Sequence, residues 1–316
     1  TVIKKTAEMA NRKYWKELGT TDDYNVYIDT DSIYMMAEPL VKHRYPEYKT
    51  FDEKRMAIEV DNIATETQTF LNSFYDLLAE RFFFIPKDKH RFEIKKEYIS
   101  KAGFWVAKKR YAQWMILKNG IPCDKLDVKG LDVVRSSFPK AFQKFMSTML
   151  KDILMGKEHE YIDDTLLSFK KSLPTLPVNT IAKGGAIKEL SKYDDGSWKT
   201  GASIASFEKG TPAHVKAGIA YNRLLKFFNA PYKNEPIRDG DKVKWVYLKN
   251  NPLGLETLAF KDYNDPKDIM DFIETYIDRD KIFSAELENK LDDFYNALKW
   301  DKVTTDTKTA KKFFAF

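Results

Sequence analysis

Two runs of strand-forming residues, Tyr24-Asn-Val-Tyr-Ile28 and Ile33-Tyr-Met-Met36, stand either side of the polar tetrapeptide Asp29-Thr-Asp-Ser32. β-prone residues flanking a short polar turn fold as a β-hairpin, so this segment is expected to carry two carboxylates at a hairpin tip. Neighbouring carboxylates resist joint ionisation unless a cation lies beside them. Mg²⁺ suits such a tip, because it takes oxygen ligands, usually one or two carboxylates with substrate phosphates. The pattern therefore predicts a phosphoryl-transfer metal site. Asp-x-Asp is also common in ordinary turns, where Asp caps its own backbone, and the pair alone does not choose between these readings.

A chain of 316 residues has room for two domains and a substantial core. Its 43% hydrophobic and 14% aromatic content excludes a disordered protein. With 53 Lys+Arg against 47 Asp+Glu, the formal charge is +6, which permits a nucleic-acid partner without requiring one. The lone Cys123 excludes an internal disulfide, and the four His lack zinc spacing. No signal peptide or membrane-length apolar run is present. These features predict a cytoplasmic protein with no membrane partner.

The order of periodicities predicts an α+β fold. Ile3, Ala7, Ala10, Tyr14 and Leu18 recur at helical spacing, with Gly19 at the C-cap position. The pattern is already under way at Thr1, as expected for a segment cut from something larger. A long helix is predicted from Thr50 to Arg81, with Thr50 and Glu53 at capping-box spacing and an apolar stripe through Met56, Val60, Ile63, Phe70, Leu71, Phe74 and Leu78. Strand character follows over Arg91–Tyr98 and Phe104–Leu117, and Asn119-Gly120 marks a hairpin turn. Within the second run lies Lys108-Lys-Arg-Tyr111. Strand alternation would put Lys108 and Arg110 on one face, Lys109 and Tyr111 on the other. Cations beside an aromatic ring suit a nucleic-acid backbone, although a solvated face or a protected sheet edge uses the same residues.

From Ser137 the chain turns helical. Phe142, Phe145, Met146, Met149, Leu150, Ile153 and Leu154 form a wide apolar face ending at Gly156, and a second helix runs through Leu166, Leu167 and Phe169 to Pro174. Pro174–Pro212 reads as mostly loop, with Lys183, Lys188, Lys192, Lys199 and Lys209 either tracking phosphates or simply solvated. A helix over Val215–Phe228, a strand over Val243–Leu248 and helices near Pro266–Ile277 and Ser284–Trp300 follow. The C-terminus ends in Phe313, Phe314 and Phe316 after a Thr-rich polar stretch. Such a tail either tucks onto its own core or anchors a partner.

Three segments together resemble one family. Tyr27-Ile-Asp-Thr-Asp-Ser32 resembles the third palm motif of family B DNA polymerases. Lys108-Lys-Arg-Tyr111, preceded by Phe104-Trp105, is similar to their primer-gripping motif, especially in the T-even-type bacteriophage branch. Lys129-Gly-Leu-Asp-Val-Val-Arg-Ser-Ser-Phe-Pro-Lys140 resembles the segment joining palm to thumb there. The resemblance covers the whole chain. It implies an antiparallel palm sheet with packed helices over residues 1–137 and a mainly helical thumb over residues 138–316.

The resemblance also implies template-directed DNA synthesis from dNTPs with two Mg²⁺ ions. Asp31 is then the bridging metal ligand and Asp29 its neighbour, which tunes the site more than it ligates. Glu97 is a further ligand candidate, balanced against a plain surface Glu. Thr30, Lys108, Lys109, Arg110 and Tyr111 fall to primer-template DNA. Phe313, Phe314 and Phe316 would dock on a sliding clamp, where aromatics make effective anchors. The family's Asp-x-x-Ser-Leu-Tyr-Pro motif, its fingers helix Lys-x-x-x-Asn-Ser-x-Tyr-Gly and its exonuclease motifs do not occur in these residues. The expectation is thus the C-terminal subunit of a split polymerase, active only with an N-terminal partner fragment. The alternative is a non-catalytic module that binds primer-template and clamp.

Overall fold

Helix α3, Glu53–Phe82, is the spine of the N-terminal half. It is capped by Asp52, whose carboxylate accepts from the Arg55 N–H at 2.7 Å. The expected Thr50 cap is displaced, because Tyr48–Thr50 forms a separate 3₁₀ turn and the Thr50 hydroxyl donates to the Glu47 carbonyl. Ile63, Thr67, Leu71, Tyr75 and Leu78 form the buried stripe, spaced three or four apart on one helical face. Helix α1, Val2–Leu18, packs there, and Thr6 and Tyr75 share a hydroxyl hydrogen bond of 2.9 Å. It ends as its sequence predicts, with Gly19 at φ 68° and its N–H on the Trp15 carbonyl. Helix α2, Glu38–Arg44, closes a core of Tyr14, Tyr24, Leu40, Val41 and Ile63. Arg44 grips Glu17 at 2.5 Å and Glu66 at 2.7 Å, joining all three helices.

The computed structural model describes residues 1–194, 196–201, 203–228 and 234–303. It divides into two compact units, Thr1–Lys129 and Gly130–Phe316, and the class is α+β with three small antiparallel sheets. In the first unit, β1 (Asn25–Ile28) pairs with β2 (Ile33–Met35), closed by the Asp29 N–H on the Ser32 carbonyl at 2.9 Å. Strands β3 (Tyr98–Ala107), β4 (Arg110–Lys118) and β5 (Ile121–Lys129) form a meander. Asn119 and Gly120 make the β4–β5 turn with both φ positive, 51° and 77°, as a two-residue hairpin requires.

Two strand expectations change. Phe104–Leu117 is two strands, because Lys108 and Lys109 form the β3–β4 turn, Lys109 at φ 61°. The alternation of Lys108 and Arg110 against Lys109 and Tyr111 therefore does not apply. Residues 91–97 belong to no strand. Helix side chains satisfy them instead: Asn72 bonds the Ile94 N–H at 2.9 Å and its carbonyl at 3.1 Å, and Gln68 accepts from the Lys96 N–H. Backbone groups need partners, but a strand is not the only supplier.

The second unit runs α4 (Lys140–Leu154), α5 (His159–Ser172), α6 (Val178–Ile181), β6 (Lys183–Ala186), α7 (Leu190–Tyr193), α8 (Ala213–Phe227), β7 (Lys242–Tyr247), β8 (Thr257–Phe260), α9 (Lys267–Tyr276), α10 (Arg279–Phe283) and α11 (Asn289–Leu298). Phe142, Phe145, Met146, Met149 and Leu150 of α4 are buried as their spacing predicts. Strands β6, β7 and β8 form a sheet in that order. Neither β6, inside the expected loop, nor β8 shows strand alternation. All four β8 residues are buried, so both faces are apolar or small. In β6, Gly184 donates to the Ser137 carbonyl at 2.9 Å, and a Cβ there would lie 3.2 Å from the Ser137 backbone. Ser137 thus meets β6 and does not cap α4. Among the described residues no helix is long and apolar enough to cross a membrane. Phe313, Phe314 and Phe316 lie outside the described residues.

Candidate active site

Aspartates at a two-strand tip are held by what their neighbours donate. Asp29 is enclosed. Its Oδ1 accepts from the Thr30 N–H at 2.8 Å and the Thr30 hydroxyl at 3.2 Å, while Oδ2 accepts from the Tyr27 hydroxyl at 3.3 Å. Lys109 Nζ lies 3.5 Å from Oδ1. The Thr30 N–H, with help from Lys109, holds the Asp29 carboxyl below the usual carboxylate range. Asp31 is the opposite case. It is exposed and has no hydrogen bond or ion pair among the described residues.

The β3–β4 turn reaches this tip from 80 residues away in sequence. The Lys109 N–H donates to the Tyr27 hydroxyl at 2.9 Å, so one phenol oxygen bridges the basic turn and Asp29. Behind it, Tyr34 and Tyr111 share a 2.8 Å hydroxyl bond. Tyr27, Tyr34, Trp105 and Tyr111 form a ring cluster with centroids 5.5–6.1 Å apart. Each such pair contributes about 0.5–1.5 kcal/mol beyond area burial. Burial, followed by the Tyr34 bond, raises the Tyr111 phenol well above its ordinary pKa. Gly103 lies under the Trp105 ring, and a Cβ there would lie 2.2 Å from it, so the ring would have to shift.

The structure therefore joins Asp29 to the Lys108–Tyr111 turn through Lys109 and Tyr27, with Thr30 and Asp31 following Asp29 in the hairpin tip. Lys108 and Lys109 are exposed, Arg110 is half-buried, and Tyr111 is a buried pin under the turn. Thr30 spends both its N–H and its hydroxyl on Asp29. Glu97 is not brought to the tip. It precedes β3 at the end away from Lys109, about 30 Å along the strand by strand rise. The bond between Tyr27 and the turn is not readable from spacing. Its only sequence trace is the aromatic character of Tyr27, Tyr34, Trp105 and Tyr111.

The donor set fits a hard divalent cation. Among the described residues no group of three or more His, Cys, Asp or Glu is placed to hold a metal. One open carboxylate with a second, engaged one beside it leaves most of a Mg²⁺ shell for phosphate and water, as Mg²⁺ prefers.

The family model described as DNA polymerase family B matches residues 86–291. The chain is 26% identical over 309 residues to the DNA-directed DNA polymerase of Enterobacteria phage T4, covering 90% of this chain and 31% of that protein. It is likewise 26% identical over 290 residues to the DNA-directed DNA polymerase of Escherichia phage RB69, covering 87% of this chain and 30% of the relative. The chain thus spans less than a third of the length of the curated relatives it matches.

Proposed function

Because the chain belongs to DNA polymerase family B, we propose that it supplies the metal-holding palm hairpin, primer grip and thumb for template-directed DNA synthesis. The observation that carries this reading is the open Asp31 carboxylate at the tip of a hairpin to which a basic turn is fixed through Tyr27 and Asp29. Residues 1–137 are read as the C-terminal part of the palm and residues 138–316 as the thumb. Two Mg²⁺ ions, when bound, stabilise the attacking primer oxygen and the leaving pyrophosphate oxygen of the dNTP.

Asp31 contributes the ligand and Asp29 the charge balance beside it. Lys108, Lys109 and Arg110 hold the primer backbone near its 3′ end. Contacts of that kind give salt-dependent affinity blind to sequence. Tyr111 acts from below by seating the turn. The carboxylate of the first palm motif and the triphosphate-binding fingers must come from a further polymerase segment, joined to this chain or supplied as a partner. Primer extension with Mg²⁺ and dNTPs tests the reading: silence from these residues alone and synthesis with that segment are expected. Synthesis by these residues alone would overturn the division of labour.

The aromatic tail is proposed to tether a sliding clamp through Phe313, Phe314 and Phe316. Removing residues 311–316 is expected to abolish clamp retention in a pull-down while leaving primer-template binding intact. Equal retention by both chains would end that idea.

A further inference from the structure

We propose that Lys109 is an exchangeable counter-ion of Asp29, so that nucleic-acid binding at the basic turn releases Asp29 and strengthens divalent-cation binding at the hairpin tip. The inference rests on the reading of that tip as a metal site. Asp29 is saturated in this structure: three donors from Tyr27 and Thr30 and the Lys109 ammonium surround its two oxygens. A cation arriving at Asp31 therefore meets a neighbouring carboxylate whose charge is already balanced.

Lys109 is suited to exchange. Its backbone is fixed, because its N–H is bonded to Tyr27 at 2.9 Å. Its side chain is not, being 63% exposed and 3.5 Å from Asp29. Exposed pairs of this kind contribute little to stability, and a phosphate competes readily for the ammonium. The turn stays seated while Nζ swings from carboxylate to phosphate. Asp29 then regains a net negative charge next to Asp31. Because linkage is reciprocal, the divalent cation must in turn favour nucleic-acid binding by the same factor.

The test uses Mn²⁺ as a countable probe, read by the loss of its free-ion EPR signal, with and without a short primer-template duplex. Binding by the duplex itself is subtracted. In the parent chain the duplex is expected to tighten Mn²⁺ binding about tenfold, within the usual range of coupling between sites. Lys109→Met should bind Mn²⁺ about tenfold more tightly than the parent without DNA, and the duplex should add nothing further. Lys109→Arg keeps the charge and should behave as the parent. If Lys109→Met and the parent bind Mn²⁺ alike through Asp31, or if the duplex tightens both equally, the exchange is refuted and the metal site stands. If Mn²⁺ binding does not depend on Asp31 in any of the chains, the metal-site reading falls and the exchange with it.

Discussion

Asp31→Ala, assayed with the further polymerase segment in place, is expected to lose primer extension by roughly three orders of magnitude. Charge stabilisation by metal ions contributes several kcal/mol to such transition states, and each 1.36 kcal/mol is about a factor of ten in rate. The loss should fall on the chemical step and not on folding. Asp31 is exposed and without partners among the described residues, so its removal should change stability by no more than about 0.5 kcal/mol. Asp29→Ala is expected to do less, roughly a tenfold to hundredfold loss. It removes a charge but also frees Tyr27, Thr30 and Lys109 from an ordered cluster. That ranking separates the catalytic reading from a module that only binds DNA and clamp. The binding-only module predicts that both variants extend primers at the parent rate once supplied with an active palm, and single-turnover extension would show it.

Much of this arrangement is legible in the residues. Alternating strand formers around Asp29–Ser32 specify the hairpin, Asn119-Gly120 the β4–β5 turn, and the stripe through Ile63, Leu71 and Leu78 the buried face of α3. What escaped depends on partners distant in sequence. Residues 91–97 have strand character, yet Asn72 and Gln68 of α3 take the place of a neighbouring strand. Lys108-Lys109 carries no Gly or Asn to announce a turn, and its geometry follows from Trp105 and Tyr111 packing on the first hairpin. Strand β8 escaped because a strand buried on both faces shows no period of two. The carboxylates were readable as a pair and the resemblance ranked Asp31 above Asp29, but the physical cause of that inequality was not readable. That inequality comes from Tyr27, Thr30 and Lys109 all turning to Asp29.

The second unit has its own buried charge, and Arg223→Met is expected to destabilise that unit by about 3 kcal/mol. The Arg223 side chain is 1% exposed, on a face of α8 where the pattern calls for an apolar residue. Its guanidinium donates to Asp194 at 2.7 Å, to the Ile204 carbonyl at 3.0 Å and to the Ser206 carbonyl at 2.5 Å, and it lies 5.0 Å from the Phe207 ring. Three acceptors drawn from residues 194–206 fold the expected loop around one cation on a helix. Methionine fills the volume but leaves two carbonyls unpaired and Asp194 with only the Gly196 N–H at 3.3 Å, and such losses exceed what the pair contributed. The Asp194 side chain is 30% exposed and can rehydrate, so the lower end of the 3–5 kcal/mol range for breaking a buried pair applies. A loss of that size lowers the Tm of a unit this large by roughly 6–12 °C. Trypsin should then cut first at Lys199 and Lys209, which flank the released carbonyls, and before the unit unfolds. An unchanged Tm with unchanged cleavage would mean that the loop holds its shape without Arg223. The loop lysines would then be fixed by something other than this cation. The expected result makes the exposed Lys199 and Lys209 the solvated rim of a segment pinned from beneath by one guanidinium.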